Sequence, residues 1–332
     1  MNYEFSDAVK AMRSKLKGLF SEEALPTPAK LAEAGYFSLE GDNGGNSVPL
    51  VAAREVVAAG APSFFLSIET SARVFGSLLA VAGVRGDLLE AVGSGSAVGA
   101  VAPSAGGITA DRTSGGLVLS GSAKSVLNGP IADFIAVPVR LGDDTFVAVV
   151  GKGADGFSAG KRESTLGFRG AAFCTVTLDG CSVSEADLSG PTTVNIEKLL
   201  ATWQDDIHTA AALGIMRRCY DAAREFAKDS GAGGKPPIAR QEVAFPLAEM
   251  LTLLDTSQLL AYRAAWLAET GDYEAQVVGH TAKVFCTESG LEVAGHALGI
   301  LGEEGQVAGN HAEQGFRDCQ YLQVAGTSTV QS

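Results

Sequence analysis

Apolar positions follow a helical period over roughly the first 95 residues, a two-residue period from about Ala97 to Leu188, and a helical period again beyond Pro191. Ala8 to Phe20 is amphipathic behind Ser6, whose hydroxyl suits an N-cap. Leu50 to Ala59 and Ser71 to Val84 are rich in Ala, Val and Leu. In the middle, Leu117-Val118-Leu119, Phe134 to Val137, Thr145 to Val150 and Phe173 to Leu178 are short β-branched or aromatic runs divided by Gly, Asp and Asn. That spacing predicts an antiparallel β domain. Ile196 to Lys228 then reads as one helix, and a second starts near Gln241 with Val243, Leu247, Met250, Leu254, Ala261 and Ala265 on one face. Pro246 marks the first turn of that helix or a kink in it. A third runs from about Tyr273 to Leu301, and the Gly/Pro-rich stretch Gly231 to Pro237 divides the first two. The order predicts an α+β fold of three parts: helices over 1–95, a β domain over 96–190 and a helical bundle over 191–332. It lacks the βαβ alternation of a nucleotide-binding sheet.

Length and charge narrow the picture. A chain of 332 residues exceeds the ~250–300 at which one core stops growing, which fits several domains. Apolar residues form 46% and charged ones 19%, enough to bury a large core. The net charge of −13 argues against nucleic-acid binding and against adhesion to anionic lipid. Met1 to Asp7 is polar and acidic, unlike a secretory signal, and the uncharged run Ala91 to Ala110 is studded with glycines, so it reads as loop and not as a membrane span. Five widely spaced cysteines without Cys-x-x-Cys fit reduced, buried thiols of a cytoplasmic protein. The histidines His208, His280, His296 and His311 form no i, i+4 pair, so no metal site is expected.

Three local patterns carry candidate chemistry. Gly156-Phe157-Ser158-Ala159-Gly160 spells the G-x-S-x-G nucleophile elbow, but the elbow needs a helix after it, and Lys161-Arg162-Glu163 followed by more strand reads as a hairpin loop. Gly93 to Gly99 resembles a phosphate cradle without its strict spacing and reads as a linker. Asp205-Asp206 lies on a long helix before the apolar Ala210 to Met216 and reads as a solvated face; a carboxylate turned into a site is the alternative.

Larger motifs point further. Gly156 to Gly160, Leu166-Gly167-Phe168-Arg169-Gly170-Ala171 and Thr175 to Asp179 resemble the β-domain signature of acyl-CoA dehydrogenases. Leu119-Ser120-Gly121 followed by Asn128 to Asp133 resembles another of that family's motifs, as do Gly299 to Gly305, Gly315 to Asp318 and Gly326-Thr327-Ser328 near the end. The resemblance covers nearly the whole chain. It implies an N-terminal helical domain, a middle β domain, a C-terminal four-helix-type bundle, and FAD with an acyl-CoA substrate. In the family a glutamate takes the α-proton while a hydride passes to flavin N5.

The chain departs from the family at those functional positions. The base position is Ala325, and a methyl group takes no proton. The flavin-covering tryptophan falls at Ser125 and the threonine near flavin N5 at Leu127. The loop Val101 to Ile108 lacks the family's acid and hydroxyl pattern. The pyrophosphate arginine falls at Ser230, its aromatic neighbour at Gly233, a helix-end glutamine at Gly299 and a glycine at Glu303. Gly302, Gly305 and Thr327 keep positions that lie next to FAD in the family. The pattern resembles the short, degenerate subunit of bacterial α2β2 acyl-CoA dehydrogenases that shorten steroid side chains. The resemblance then implies a homologous partner that carries base and flavin, with FAD at the interface. Two alternatives stand beside it. Some family members carry the base on the first bundle helix, which maps near Gln204 beside Asp205 and Asp206, giving a self-sufficient enzyme. Otherwise the chain is a scaffold that holds no flavin. A serine hydrolase acting through Ser158 ranks last.

Overall fold

The computed structural model describes residues 5–21, 24–39, 47–103, 107–229 and 234–326. The N-terminal part is helical. Helix α1 (Asp7–Leu19) begins where the Val9 N–H donates to Ser6 Oγ at 3.4 Å, the cap read from the sequence. Helices α2 (Pro28–Glu33) and α3 (Val48–Gly60) follow. Then α4 (Pro62–Ile68), a π-helical turn (Glu69–Phe75) and α5 (Gly76–Ala82) run on as one rod. The 21 residues Pro62–Ala82 are long and apolar enough to cross a membrane, yet 61% of the 18-residue apolar window within them is buried inside this protein. Helix α6 (Leu88–Ser94) ends on left-handed Gly95, and residues 95–98 link it to the first strand, in keeping with the linker reading of the glycine-rich segment, with Gly93 and Gly99 inside the flanking elements.

Among the described residues, seven strands form two sheets. The first has the order β1 (Gly99–Val101), β4 (Phe134–Leu141), β5 (Asp144–Gly151). The second has the order β2 (Ile108–Thr113), β3 (Gly116–Leu127), β7 (Phe173–Ser184), β6 (Phe157–Ala159). One pair corrects the antiparallel expectation: β1 lies parallel to β4, pairing Gly99 with Phe134. A parallel neighbour needs a long crossover, and β2 and β3 form it here. Alternate residues of both sheets, among them Leu117, Leu119, Val137, Val139, Val176 and Leu178, pack into one core. A second, larger core joins the helices on either side of the sheets.

The bundle consists of α7 (Ile196–Lys228), α8 (Gln241–Glu269), α9 (Ala275–Leu301) and α10 (His311–Val324). Asn195 and Asn310 cap α7 and α10 through the N–H groups of Lys198 and Ala312, both at 2.9 Å. Helix α9 starts at Ala275, later than the Tyr273 expected, because a turn through Gly271 at φ 67° comes first. Pro246 sits inside α8 without ending it. The small run Ala210 to Gly214 on α7 is buried, and a Cβ on Gly214 would press on Ala58 of α3 at 2.5 Å, so that helix crossing demands glycine. All five cysteines are buried free thiols.

The bundle also grips the β domain. Arg317 on α10 donates to the Leu166 carbonyl at 2.8 Å, and Asp318 accepts the Phe168 N–H. Phe168 sits at φ 49°, a conformation held by these ties and by its edge-on contact with Tyr321 at 5.3 Å. The Leu166-Gly167-Phe168 and Arg317-Asp318 motifs thus meet each other.

Candidate functional site

Helices α7 and α9 bring four ionisable side chains together inside the bundle. Asp205 and His208 share one face of α7, and His280 and Lys283 share one face of α9, because residues three apart are neighbours on a helix. Asp205 is 2% exposed, which overturns its reading as part of a solvated face; Asp206 is half-buried and Gln204 is exposed. The His280 Nδ1–H donates to Asp205 Oδ2 at 2.7 Å. Lys283 is fully buried, and burial lowers its ammonium from the ordinary value while Asp205 pulls it back up. Burial and Lys283 push the His208 imidazole down to about 4, against the pull of Asp205. His208 Nδ1 is buried and has no hydrogen-bond partner among the described residues. A cavity of about 310 Å³ opens beside Asp205 and His280, walled also by Lys198, Thr202, Asp272 and Tyr273.

The end of α10 closes this cluster. Ala325 caps the helix, and Gly326 follows at φ 66°. A Cβ on Gly326 would stand 2.6 Å from Asp205 Oδ1 and 3.1 Å from His208 Nδ1, so only glycine fits. The two base positions read from the sequence, Ala325 and the first bundle helix, therefore meet at one place. Nothing in the sequence had drawn His208, His280 or Lys283 into it. The available signal was a pair of polar residues three apart on each of two otherwise apolar helix faces.

The remaining expected residues lie elsewhere. Ser125 is exposed at φ 52° in the bulge of β3, and its hydroxyl donates to Glu163 Oε2 at 3.3 Å. Leu127 is half-buried at the end of the same strand. Gly302 caps α9 in open space, and Gly305 packs so close that its Cβ would stand 2.9 Å from Leu301 Cβ. Glu303 and Gly299 are exposed beside them. From His280 to Gly302 the helix advances 22 residues, or about 33 Å, so the glycines and the carboxylate cluster do not form one site. Thr327, Ser230, Gly233 and part of the Val101 to Ile108 loop lie outside the described residues. A flavin does not fit the described residues of this chain alone. By the family resemblance, the Ser125 hydroxyl, bonded to the Glu163 carboxylate, takes the position of a ring cover, and Glu303 places negative charge beside Gly302, the position the resemblance gives to a pyrophosphate.

Two further candidates resolve. Ser158 lies exposed on the short strand β6, which a loop and no helix follows, so the hairpin-loop reading is corrected and the elbow geometry is missing. No hydrogen bond joins Ser158 to a histidine among the described residues. Glu249, Glu292 and His296 gather on the outside of α8 and α9 with ligand atoms within 4.8 Å of one another, a surface grouping with both acids exposed.

Comparison with known proteins agrees with this architecture. Residues 207–332 match the family model for the acyl-CoA dehydrogenase C-terminal domain. The chain is 26% identical to benzylmalonyl-CoA dehydrogenase of Aromatoleum aromaticum, over 98% of this chain and 96% of that protein. It is 28% identical to cyclohex-1-ene-1-carbonyl-CoA dehydrogenase of Geobacter metallireducens, over 64% of this chain. That second match spans 58% of the relative's length. Among solved structures, a glutaryl-CoA dehydrogenase from Mycobacterium smegmatis in complex with FADH2 superposes with a TM-score of 0.88 at 16% identity, covering 98% of this chain and 92% of that one.

Proposed function

From the premise that the chain belongs to the acyl-CoA dehydrogenase family, by its fold throughout and by residues 207–332 in sequence, we propose that it is the non-catalytic subunit of an FAD-dependent acyl-CoA dehydrogenase. FAD is the usual cofactor of that family. In this reading the chain completes a cytoplasmic α2β2 heterotetramer with a homologous subunit that supplies base and flavin contacts, and the substrate is an acyl-CoA thioester of the steroid side-chain type. The observation that carries the proposal is Ala325. By the resemblance it holds the family's base position, and it precedes Gly326, which lies against Asp205, a carboxylate already engaged by His280. Gly302, Gly305 and Thr327 would offer backbone N–H groups to a cofactor shared across the interface. The distance of the two glycines from the Asp205 cluster supports service to a neighbouring subunit.

A partner also suits the surface of α8. Phe245, Leu259 and Trp266 are 66%, 49% and 49% exposed. Intervals of 14 and 7 residues keep them on one helix face. A row of large apolar side chains on one face is the mark of a surface that another chain covers.

A second reading has its own observation. Asp205 is buried beside Gly326, so a carboxylate stands next to the place that Ala325 leaves without one. There it would act as the relocated base of a self-sufficient enzyme. One experiment separates the readings. The chain is expressed alone and with each neighbouring reading frame that encodes a related dehydrogenase, and flavin absorbance and turnover are recorded for the wild type and Asp205→Asn. The proposal expects colourless or insoluble protein alone, a yellow complex on co-expression, and turnover within about threefold of wild type in the variant. Yellow, active protein from the chain alone, with a loss of about 10²-fold or more in Asp205→Asn, favours the relocated base. Colourless protein in every combination favours a scaffold without flavin.

A further inference from the structure

A second and larger cavity, of about 690 Å³, lies where α1, α3, α7 and the start of α10 meet. That volume falls in the range of small-molecule sites. Phe20, Val56, Ala59 and Ala222 give it apolar walls. Five cationic side chains face it, Arg13, Lys17, Arg217, Arg218 and Arg224, against three acids, Glu55, Asp221 and Glu225. On a chain of net charge −13, this is a local reversal of sign.

The acids are already engaged. Glu55, only 1% exposed, accepts from Gln258 at 2.7 Å, Tyr262 at 3.1 Å and Arg13 at 3.2 Å, with Arg217 at 3.5 Å. Asp221 and Glu225 both face Arg224, at 3.8 and 3.0 Å, and the Arg224 Nε still lies buried without a hydrogen-bond partner among the described residues. Arg218 is half-buried and makes no hydrogen bond and no ion pair among the described residues. Asp318 lies within electrostatic reach of Arg218, but its carboxylate accepts the Phe168 N–H. Burial lowers the Arg218 guanidinium from its ordinary value. Burial, with Arg218 beside it, also pushes His311 down to about 4, so at neutral pH that wall adds a neutral ring and no further charge. A desolvated guanidinium with five donors and no acceptor is a poor structural element, and an apolar residue would serve packing better. An anion that accepts from it would remove the penalty.

We propose that this cavity binds a small organic anion, with its oxygen head on Arg218 and a short apolar body against Phe20, Val56 and Ala59. The head is a carboxylate or a phosphomonoester, since both accept two parallel N–H bonds from a guanidinium. The site is separate from the Asp205 cluster and does not depend on whether the chain is catalytic.

Calorimetric titration of the full chain, alone or in its complex, tests this with benzoate, phenyl phosphate, inorganic phosphate and benzyl alcohol as probes. Saturable binding of benzoate or phenyl phosphate is expected, with benzyl alcohol and inorganic phosphate at least tenfold weaker; the tighter of the two anions identifies the head group. Arg218→Gln should lose tenfold or more in affinity while the melting temperature holds or rises, because the variant removes an uncompensated charge. Ala222→Leu, which narrows the cavity and leaves every charge in place, should weaken binding as well. The proposal is overturned if neither organic anion binds at about 10 mM. It is equally overturned if Arg218→Gln binds as tightly as wild type, or if inorganic phosphate binds as well as the organic probes.

Discussion

Glu69 and Asp205 are carboxylates with almost no exposure, 0% and 2%, and both face cationic side chains. Around Glu69 the cluster is closed. Arg54 Nε lies 2.6 Å and Arg73 Nε 3.1 Å from its two oxygens, and the Tyr36 hydroxyl donates to it at 2.6 Å. Arg73 also donates to the Tyr36 carbonyl at 2.7 Å. Burial alone would raise the Glu69 carboxyl, and the two arginines more than reverse it. Around Asp205 the cluster is open. It borders a cavity of about 310 Å³, and His208 keeps a buried nitrogen with no partner among the described residues. Buried charge is common to both, so burial alone does not mark a functional site. An open wall and an unsatisfied donor or acceptor distinguish one from the other.

The contrast is sharpest in stability. Glu69→Ala leaves two guanidinium groups buried without their carboxylate and should cost about 3–5 kcal/mol in chemical denaturation at neutral pH. Because the folded Glu69 carboxyl is lowered, its contribution is present above the unfolded value near ~4.3 and fades as pH falls through the lower folded value. The difference between wild type and variant should therefore shrink in acid. A cost below about 1 kcal/mol would erase the distinction between the clusters.

His208 should also lose stability toward acid, but as a group that is neutral in the fold where Glu69 is charged. Its folded value of about 4 lies below the ~6.5 of an unfolded histidine, so the unfolded chain binds the proton first. Stability should fall as pH drops from about 6.5 to 4, by up to ~3 kcal/mol from this one group. His208→Gln should flatten that slope, leaving the share of His311, which is lowered in the same direction. Thermal melts across that window measure it. Gly326→Ala should come last, at about 1–3 kcal/mol, from strain at positive φ and from the Cβ forced against Asp205. Melting of the Glu69 variant and of Gly326→Ala, singly and combined, should be additive, since the changes fall in different clusters.

Much of this frame was legible along the chain. The bounds of α7, Ile196 and Lys228, follow from its long apolar period, and its start is fixed by Asn195 as cap. The parallel β1–β4 pair was not legible, because β1 is three residues inside a glycine-rich run and its partner lies beyond two other strands. The placement of Asp205 escaped for a similar reason. Whether a polar residue on a helix meets water or a neighbour depends here on His280, 75 residues away. The π-helical turn at Glu69–Phe75 leaves no mark in the hydrophobic period. Ala325, by contrast, is assigned to the base position by motif resemblance alone. Its meeting with Asp205 needed the fold.

The bond from the Phe168 N–H to Asp318 joins residues 150 apart, and it bears on the order in which the chain assembles during synthesis. At about 5–20 residues per second, a ribosome needs on the order of ten seconds to make the intervening stretch. For that time the segment before β7 has neither Asp318 to accept its N–H nor Tyr321 to cover its ring. Helix α10 is thus a clasp that closes only after the β domain has been made. A nascent chain released before α10 emerges would present an open β-sheet flank to chaperones and proteases, so synthesis of α10 becomes a checkpoint for this fold.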